Sequence, residues 1–209
     1  KTARAPIERP VHTKAYARDR IHLRSDIPIR PEDEIKEGPH VNFDHQVTVR
    51  GGGGEIFPNT DVTLYDLGLL EEIRRNLLAM GIQRLKKIQQ NIIPLILHGK
   101  TDIVAYAQTG NGKTLSYLIP LVNNLVVENR RNPSSKRKPT VAILLQNHET
   151  ATQVYKIANK IAQGLDLNVI PAMGHNNMAS EVSKLRHVGG DMVIGTTGRF
   201  IQYVSEKKV

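Results

Sequence analysis

Residues 103–120 read IVAYAQTGNGKTLSYLIP, and the reading of this stretch decides the fold. The apolar run Ile103 to Ala107 predicts a strand. Gly110 and Gly112 predict a tight turn, and Leu115, Leu118 and Ile119 recur at helical spacing. Strand, glycine-spaced turn and helix is the context that gives a phosphate-loop pattern physical meaning. Glycines let backbone N–H groups converge on an anion, and the following helix aims its positive dipole end at the same point. In such a loop Lys113 neutralises the β- and γ-phosphates of a nucleotide, and the Thr114 hydroxyl ligates Mg²⁺. The first position is Ala107 where the usual pattern has glycine, giving A-x-x-x-x-G-K-T. The competing reading, a glycine-rich surface turn with an exposed lysine, lacks a reason for the flanking strand and helix.

The chain of 209 residues suits one domain with an extension, and 39% hydrophobic residues suffice for a core. It has no cysteine, so a disulfide framework and thiolate metal sites are excluded. No apolar run approaches the roughly 18 residues of a membrane span, and the start carries no signal-peptide pattern. A net charge of +9 favours a polyanionic partner such as RNA, although charge of this kind also serves solubility. None of the eight histidines has a second one at i, i+4, which argues against a protein-ligated zinc.

Residues 1–54 read as an N-terminal extension. Arg4, Arg9, Lys14, Arg18, Arg20 and Arg24 make its first part basic, and Glu32, Asp33, Glu34 and Glu37 add an acidic patch among prolines. Such a composition buries too little apolar surface to offset its ordering entropy. Val41 to Arg50 predicts a short strand, and Gly51 to Gly54 a flexible connection. From residue 55 the pattern is that of a folded domain. Helices are expected over Asp66–Met80 and Ile88–Leu97, then strands at Thr140–Leu145, Leu167–Ala172 and Met192–Gly195. These alternate with helices at Glu149–Ala162, Met178–Val188 and Gly198–Val204, and Asn129 to Pro139 reads as a basic loop. Alternation of this kind predicts an α/β fold, a parallel sheet with helices on both faces. Ligands in such sheets sit at the carboxyl ends of the strands, so the turns after Tyr106, Leu145, Ala172 and Gly195 carry the candidate site.

Those turns, in their order, resemble the first RecA-like domain of a DEAD-box RNA helicase, a P-loop NTPase fold. Ala107-Gln108-Thr109-Gly110-Asn111-Gly112-Lys113-Thr114 resembles the family's A-Q-T-G-S-G-K-T, with Asn111 for Ser. Gly81-Ile82 with Ile88-Gln89 resembles the Q motif, G-F-x-x-P-T-x-I-Q, whose upstream aromatic position holds Leu64 here. Val41-Asn42-Phe43-Asp44 and Val47 to Gly51 look like the flank of Vasa-like members. The resemblance covers residues 41–209 and implies ATP and Mg²⁺ as cofactors, with RNA as partner. It implies nucleotide contacts at Ile82, Gln89, Ala107, Gln108, Thr109, Gly110, Asn111, Gly112, Lys113 and Thr114, with Lys113 and Thr114 catalytic. It implies RNA contacts at His148, Gly174, Thr196, Gly198 and Arg199, where Arg199 alternatively orders the turn. A cytoplasmic setting, ribonucleoprotein granules included and the nucleus not excluded, goes with it.

The departures are as informative. Ile82 replaces the aromatic that stacks on adenine, and Leu85-Lys86 replaces Pro-Thr. Gln146-Asn147-His148-Glu149-Thr150-Ala151 stands for P-T-R-E-L-A, so His148, largely neutral near pH 7, replaces an arginine. A weaker phosphate contact is expected there. Gly174-His175 retains one glycine of a pair, and Thr196-Thr197-Gly198-Arg199 keeps three of four residues of T-P-G-R. The chain ends at Val209, before the D-E-A-D motif, the S-A-T motif and the second RecA-like domain with its arginine fingers. Residues 55–209 are therefore expected to form an incomplete ATP-binding domain that does not hydrolyse ATP by itself. The alternative is a degenerate, non-catalytic RNA-binding or scaffold relative of the same family.

Overall fold

Three short β-branched runs pair as a parallel sheet in the order β1-β3-β2: β1 Val141–Leu145, β2 Val169–Ala172 and β3 Met192–Thr196. The computed structural model describes residues 62–99, 102–133, 138–174, 177–187 and 189–205, all within the compact unit spanning residues 34–209. The expected strand at 41–50, the boundary near 55, the Vasa-like flank and His175 lie outside the described residues. Six helices complete the described chain: α1 Glu71–Ala79, α2 Lys87–His98, α3 Lys113–Arg131, α4 His148–Ile161, α5 Met178–His187 and α6 Thr197–Ser205.

Parallel register pairs Val193 with Ala142 on one side and Ile170 on the other, so these residues share one face. On that face Ile170, Ala172 and Val193 form a core with Val182 of α5 and Tyr203 of α6, flanked by Met178, Leu185 and Phe200. The opposite face carries Ile143, Met192 and Ile194 and is left to α4, which touches all three strands. Helix α4 buries Ala151, Val154, Tyr155, Ala158 and Ile161 there. Both faces are thus covered, as the strand–helix alternation predicts. Pro171, which has no ladder N–H, sits in β2, one of the two outer strands among those described.

Three differences from expectation have local causes. Helix α1 starts at Glu71 rather than Asp66. The Asp66 carboxylate accepts the Thr63 N–H at 2.8 Å and its hydroxyl at 2.6 Å, and Gly68 takes φ +63°, so the chain turns first. Helix α3 runs through Arg131, into the stretch expected as a loop. Its last turn is tied down by Arg130 to Glu72 at 2.8 Å and by Asn129 to the Asp191 carboxylate at 3.0 Å. Ile103 to Ala107 is not a strand. No described strand runs beside it, and Val104 and Tyr106 are fully exposed, so the ladder that would make it one is missing.

Asp191 is the buried junction of the sheet. Its Oδ2 accepts the Asn168 N–H at 2.7 Å and its Oδ1 the Asn129 amide, while its own carbonyl receives Thr140 N–H at 3.1 Å. Removing the carboxylate takes the acceptor from a part-buried backbone N–H at Asn168 and leaves the Asn129 amide only the Asp166 carbonyl at 3.2 Å. Asp191→Ala is expected to lower the unfolding free energy by about 2–3 kcal/mol, read as a fall in the urea midpoint. An unchanged midpoint would refute the junction.

Candidate functional site

The phosphate-loop sequence folds as a glycine turn leading into α3. Gly110 lies at φ +87° and Gly112 at φ +82°, a left-handed region that glycine enters freely, and Gly112 caps the helix. The first amides of α3 have no intrahelical partner and carry the positive end of its dipole. Ahead of them, Lys113 Nζ donates to the carbonyls of Ala107 and Gln108, the latter at 2.9 Å. The Asn111 N–H points at the same Gln108 oxygen, at 3.4 Å. A backbone oxygen therefore holds the place where cationic and amide donors converge. An incoming phosphate oxygen offers those donors the same acceptor chemistry with more charge.

Two residues of the preceding helix region hold the loop from outside. Gln89 is only 2% exposed. Its Oε1 accepts the Lys86 N–H at 2.8 Å and its Nε2 donates to the Gly112 carbonyl at 3.2 Å. Sequence reasoning expects this amide to read adenine, whereas the structure has it join α2 to the loop. One lone pair and one N–H remain on the amide, beneath its packing. Lys86 Nζ donates to the Gly110 carbonyl at 2.7 Å. Ile82 is half-buried and its N–H bonds the Leu77 carbonyl at 2.9 Å. Thr109 and Gln108 are exposed, and burial pushes the Tyr117 phenol above its usual range, with the nearby Thr114 side chain opposing the shift.

The second group of predicted residues lies at the carboxyl ends of the three strands, which parallel pairing puts on one edge. After β1, Asn147 caps α4 by accepting the Thr150 N–H at 2.8 Å, and His148 opens the helix half-buried. After β2, Met173 is buried and Gly174 exposed. After β3, Thr196 is half-buried, and Thr197 and Gly198 expose the first turn of α6. A Cβ added at Gly198 would meet nothing within 4 Å, so the backbone there lies open.

Arg199 does not share that openness. It is 7% exposed, and its guanidinium donates to the Met173 carbonyl at 3.2 and 2.9 Å and to the Gly174 carbonyl at 3.0 Å. It also faces the buried Glu181 carboxylate at 3.6 Å. Glu181 accepts the Met173 N–H at 3.3 Å and the Tyr203 hydroxyl. Burial first, then Glu181, drive the Tyr203 phenol far above its usual range, so it remains a donor. Arg199, Glu181 and Tyr203 thus join the turn after β2 to the turn after β3. Glu181 and Tyr203 escape sequence reasoning. The one signal for them is a tyrosine on the apolar face of α6 and a glutamate on that of α5. Among the described residues no group of three or more His, Asp or Glu could hold a metal, and no helix is long and apolar enough to cross a membrane.

Residues 86–209 match the family model described as DEAD/DEAH box helicase. The chain is 33% identical over 147 residues to "ATP-dependent RNA helicase drs1" of Sclerotinia sclerotiorum, covering 70% of this chain and 18% of that protein. It is 30% identical over 174 residues to "DEAD-box ATP-dependent RNA helicase 52A" of Oryza sativa, covering 79% of this chain and 28% of that one. The chain spans less than a third of the length of these curated relatives. Among solved structures, a DEAD box protein from the hyperthermophile Methanococcus jannaschii superposes with a TM-score of 0.60 at 26% identity. That match covers 70% of this chain and 38% of the other. Mss116p bound to ssRNA and AMP-PNP gives 0.63 at 26% identity, over 70% and 30% of the two chains.

The contact between Gln89 and Gly112 is open to test by a double-mutant cycle. A Cβ at Gly112 collides with the Gln89 amide and is strained by the positive φ. Gly112→Ala is expected to lower the unfolding free energy by about 2 kcal/mol. Adding Gln89→Ala frees the space, so the pair should lose less than the sum of the single changes. Urea denaturation of the four proteins measures this, and strict additivity would sink the contact.

Proposed function

The chain belongs to the DEAD/DEAH box helicase family, and on that premise we propose that it binds Mg·ATP at residues 107–114 and RNA at the carboxyl edge of its sheet. One observation carries the nucleotide reading: Lys113 Nζ and the Asn111 N–H converge on one oxygen in front of the α3 amino terminus. Gly110 and Gly112 hold the loop curved around that point, and Ala107, Gln108, Thr109 and Asn111 supply its backbone. Lys113 takes the β- and γ-phosphates. The Thr114 hydroxyl is the one protein ligand offered to Mg²⁺, a cation that keeps most of its shell from phosphate oxygens and water. Bound Mg²⁺ supplies charge neutralisation on those phosphates. Gln89, with Ile82 nearby in sequence, recognises the base only after its packing opens. These residues bind and position, and no water-activating role is assigned to any of them.

The RNA reading rests on Thr196 and Gly198 at the exposed start of α6, where backbone amides and the helix dipole suit a phosphate. Gly174 and His148 flank them on the same edge. Arg199 serves by holding the turns rather than by touching RNA, because its guanidinium is already satisfied by protein carbonyls. In the whole protein, ATP binding and hydrolysis would be coupled to local opening of short RNA duplexes, in a cytoplasmic or ribonucleoprotein-granule setting. The Vasa-like assignment depends on residues 41–51, outside the described part. A second reading, a non-catalytic RNA-binding relative, draws on the buried Gln89 and on His148 in an arginine's place.

Two measurements test these assignments. Lys113→Ala in the 209-residue chain is expected to weaken Mg·ATP binding by at least about tenfold, followed by isothermal titration. In the full-length protein the same change should abolish RNA-stimulated ATP hydrolysis. Unchanged nucleotide affinity would remove Lys113 from the site. Gly198→Glu places a carboxylate at the α6 amides without steric cost and should weaken binding of a single-stranded RNA about threefold to tenfold at low salt. Equal affinity of variant and parent would move RNA away from that turn.

A further inference from the structure

The family pattern has threonine where this chain has Lys86, and the structure gives that lysine a definite partner. Its ammonium donates to the Gly110 carbonyl at 2.7 Å, and two residues later in the loop Gln89 Nε2 donates to the Gly112 carbonyl at 3.2 Å. The same Lys86 supplies the backbone N–H that holds the Gln89 Oε1 at 2.8 Å. One residue at the start of α2 therefore acts on two carbonyls of the loop, one directly and one through Gln89.

The geometry of the peptide bond converts this into a statement about the phosphate site. In a trans peptide the C=O and the following N–H point in opposite directions. A Gly110 carbonyl drawn out toward Lys86 sends the Asn111 N–H inward, and that N–H is found pointing at the Gln108 oxygen at 3.4 Å. Lys113 Nζ reaches the same oxygen. The Gly112 carbonyl accepts from Gln89 and, as the first acceptor of α3, from the Ser116 N–H at 3.2 Å and hydroxyl at 3.1 Å, which leaves the Lys113 N–H pointing the opposite way. A Cβ added at Gly110 would meet nothing within 4 Å, so no neighbour crowds that side of the turn. The Gln108–Asn111 turn bond and the Lys86 tether hold the peptide between them.

We propose that Lys86 is a positioning residue for nucleotide phosphates: by holding the Gly110 carbonyl outward it keeps the Asn111 N–H aimed into the anion nest before nucleotide arrives. This rests on the phosphate-loop reading above. A positively charged donor is well suited to the task, because a charge-assisted hydrogen bond is shorter and stronger than the one a threonine hydroxyl makes to a carbonyl. The ammonium also adds a second cation beside Lys113 on a loop meant for polyphosphate. A preorganised nest gains affinity because less ordering remains to be done on binding.

The test uses the 209-residue chain, with Mg·ATP as the probe in isothermal titration and thermal unfolding measured alongside. Lys86→Met keeps the aliphatic stem and removes the charge; Lys86→Arg keeps the charge and the donor. The expected result is an ATP affinity about tenfold weaker in Lys86→Met. Lys86→Arg should restore it, and both variants should melt with the parent. The proposal is overturned by parental affinity in Lys86→Met, by equal losses in Met and Arg, or by a fall in melting temperature that accompanies the lost affinity. Lys113→Ala, titrated in parallel, separates the two readings. If it alone loses ATP binding, Lys86 is dismissed and the loop stands. If Lys113→Ala also binds like the parent, the loop assignment itself has failed.

Discussion

The buried carboxylate of Asp191 is the constraint on which the rest of the fold depends. It sits at the amino-terminal end of β3, the central strand, and binds the approach to β2 through Asn168 and the end of α3 through Asn129. Its backbone carbonyl collects the entry to β1 at Thr140 and Val141. Three strands and one helix are therefore referenced to a single residue. The consequence reaches the phosphate loop, because α3 begins there. A helix of 19 residues is about 28 Å long, and fixing its far end at Asn129 limits how far its amino terminus swings. Asn123 adds a second anchor by accepting the Leu70 N–H at 2.9 Å, which fastens the middle of α3 to the start of α1.

At the other edge of the sheet, buried side chains hold the turns in place. The turns after β2 and β3 are joined by a buried arginine, a buried glutamate and a tyrosine, each satisfied by the others or by backbone. Burial of such a pair adds little net stability, but breaking it leaves an uncompensated charge, which favours one arrangement of the two turns over all others. The turn after β1 carries the Asn147 cap of α4, and the Thr152 hydroxyl one turn further on bridges the His148 carbonyl and the Met173 sulfur. Thr196, Gly198 and Gly174 therefore stand on a platform that these side chains fix.

Much of this was legible in the residues, because parallel strands are short β-branched runs and their crossover helices carry an apolar stripe. The three paired strands and all six helices correspond to segments the periodicity picks out. What local pattern does not carry is the partner. Ile103 to Ala107 has the composition of a strand, yet a strand exists only beside another, and none of the described ones lies there. The same limit applies to polar side chains. The spacing of Gln89 from Lys113 marks it for the site, but not that both ends of its amide engage Lys86 and Gly112. Arg199 reads in T-T-G-R either as a cation for RNA or as the residue that orders the turn, and pattern alone does not show the carbonyls, from a turn 25 residues earlier, that bury it in the second role.

On the proposed nucleotide reading, the loop's own hydrogen bonds set how an anion enters it. Lys113 is held by the carbonyls of Ala107 and Gln108, and both contacts must yield when a phosphate takes their place. Such an exchange replaces neutral acceptors by charged ones, so it is favourable, though by less than if the ammonium came from water-free isolation. The contacts made by Lys86 and Gln89 are of a different kind. They fall on the Gly110 and Gly112 carbonyls rather than on the donors that would meet a phosphate, and need not break for binding to occur. One set of bonds closes the empty loop on itself and the other shapes it for its ligand. Affinity then depends on the second set surviving while the first is given up, which places the start of α2, rather than the glycines alone, in control of the loop.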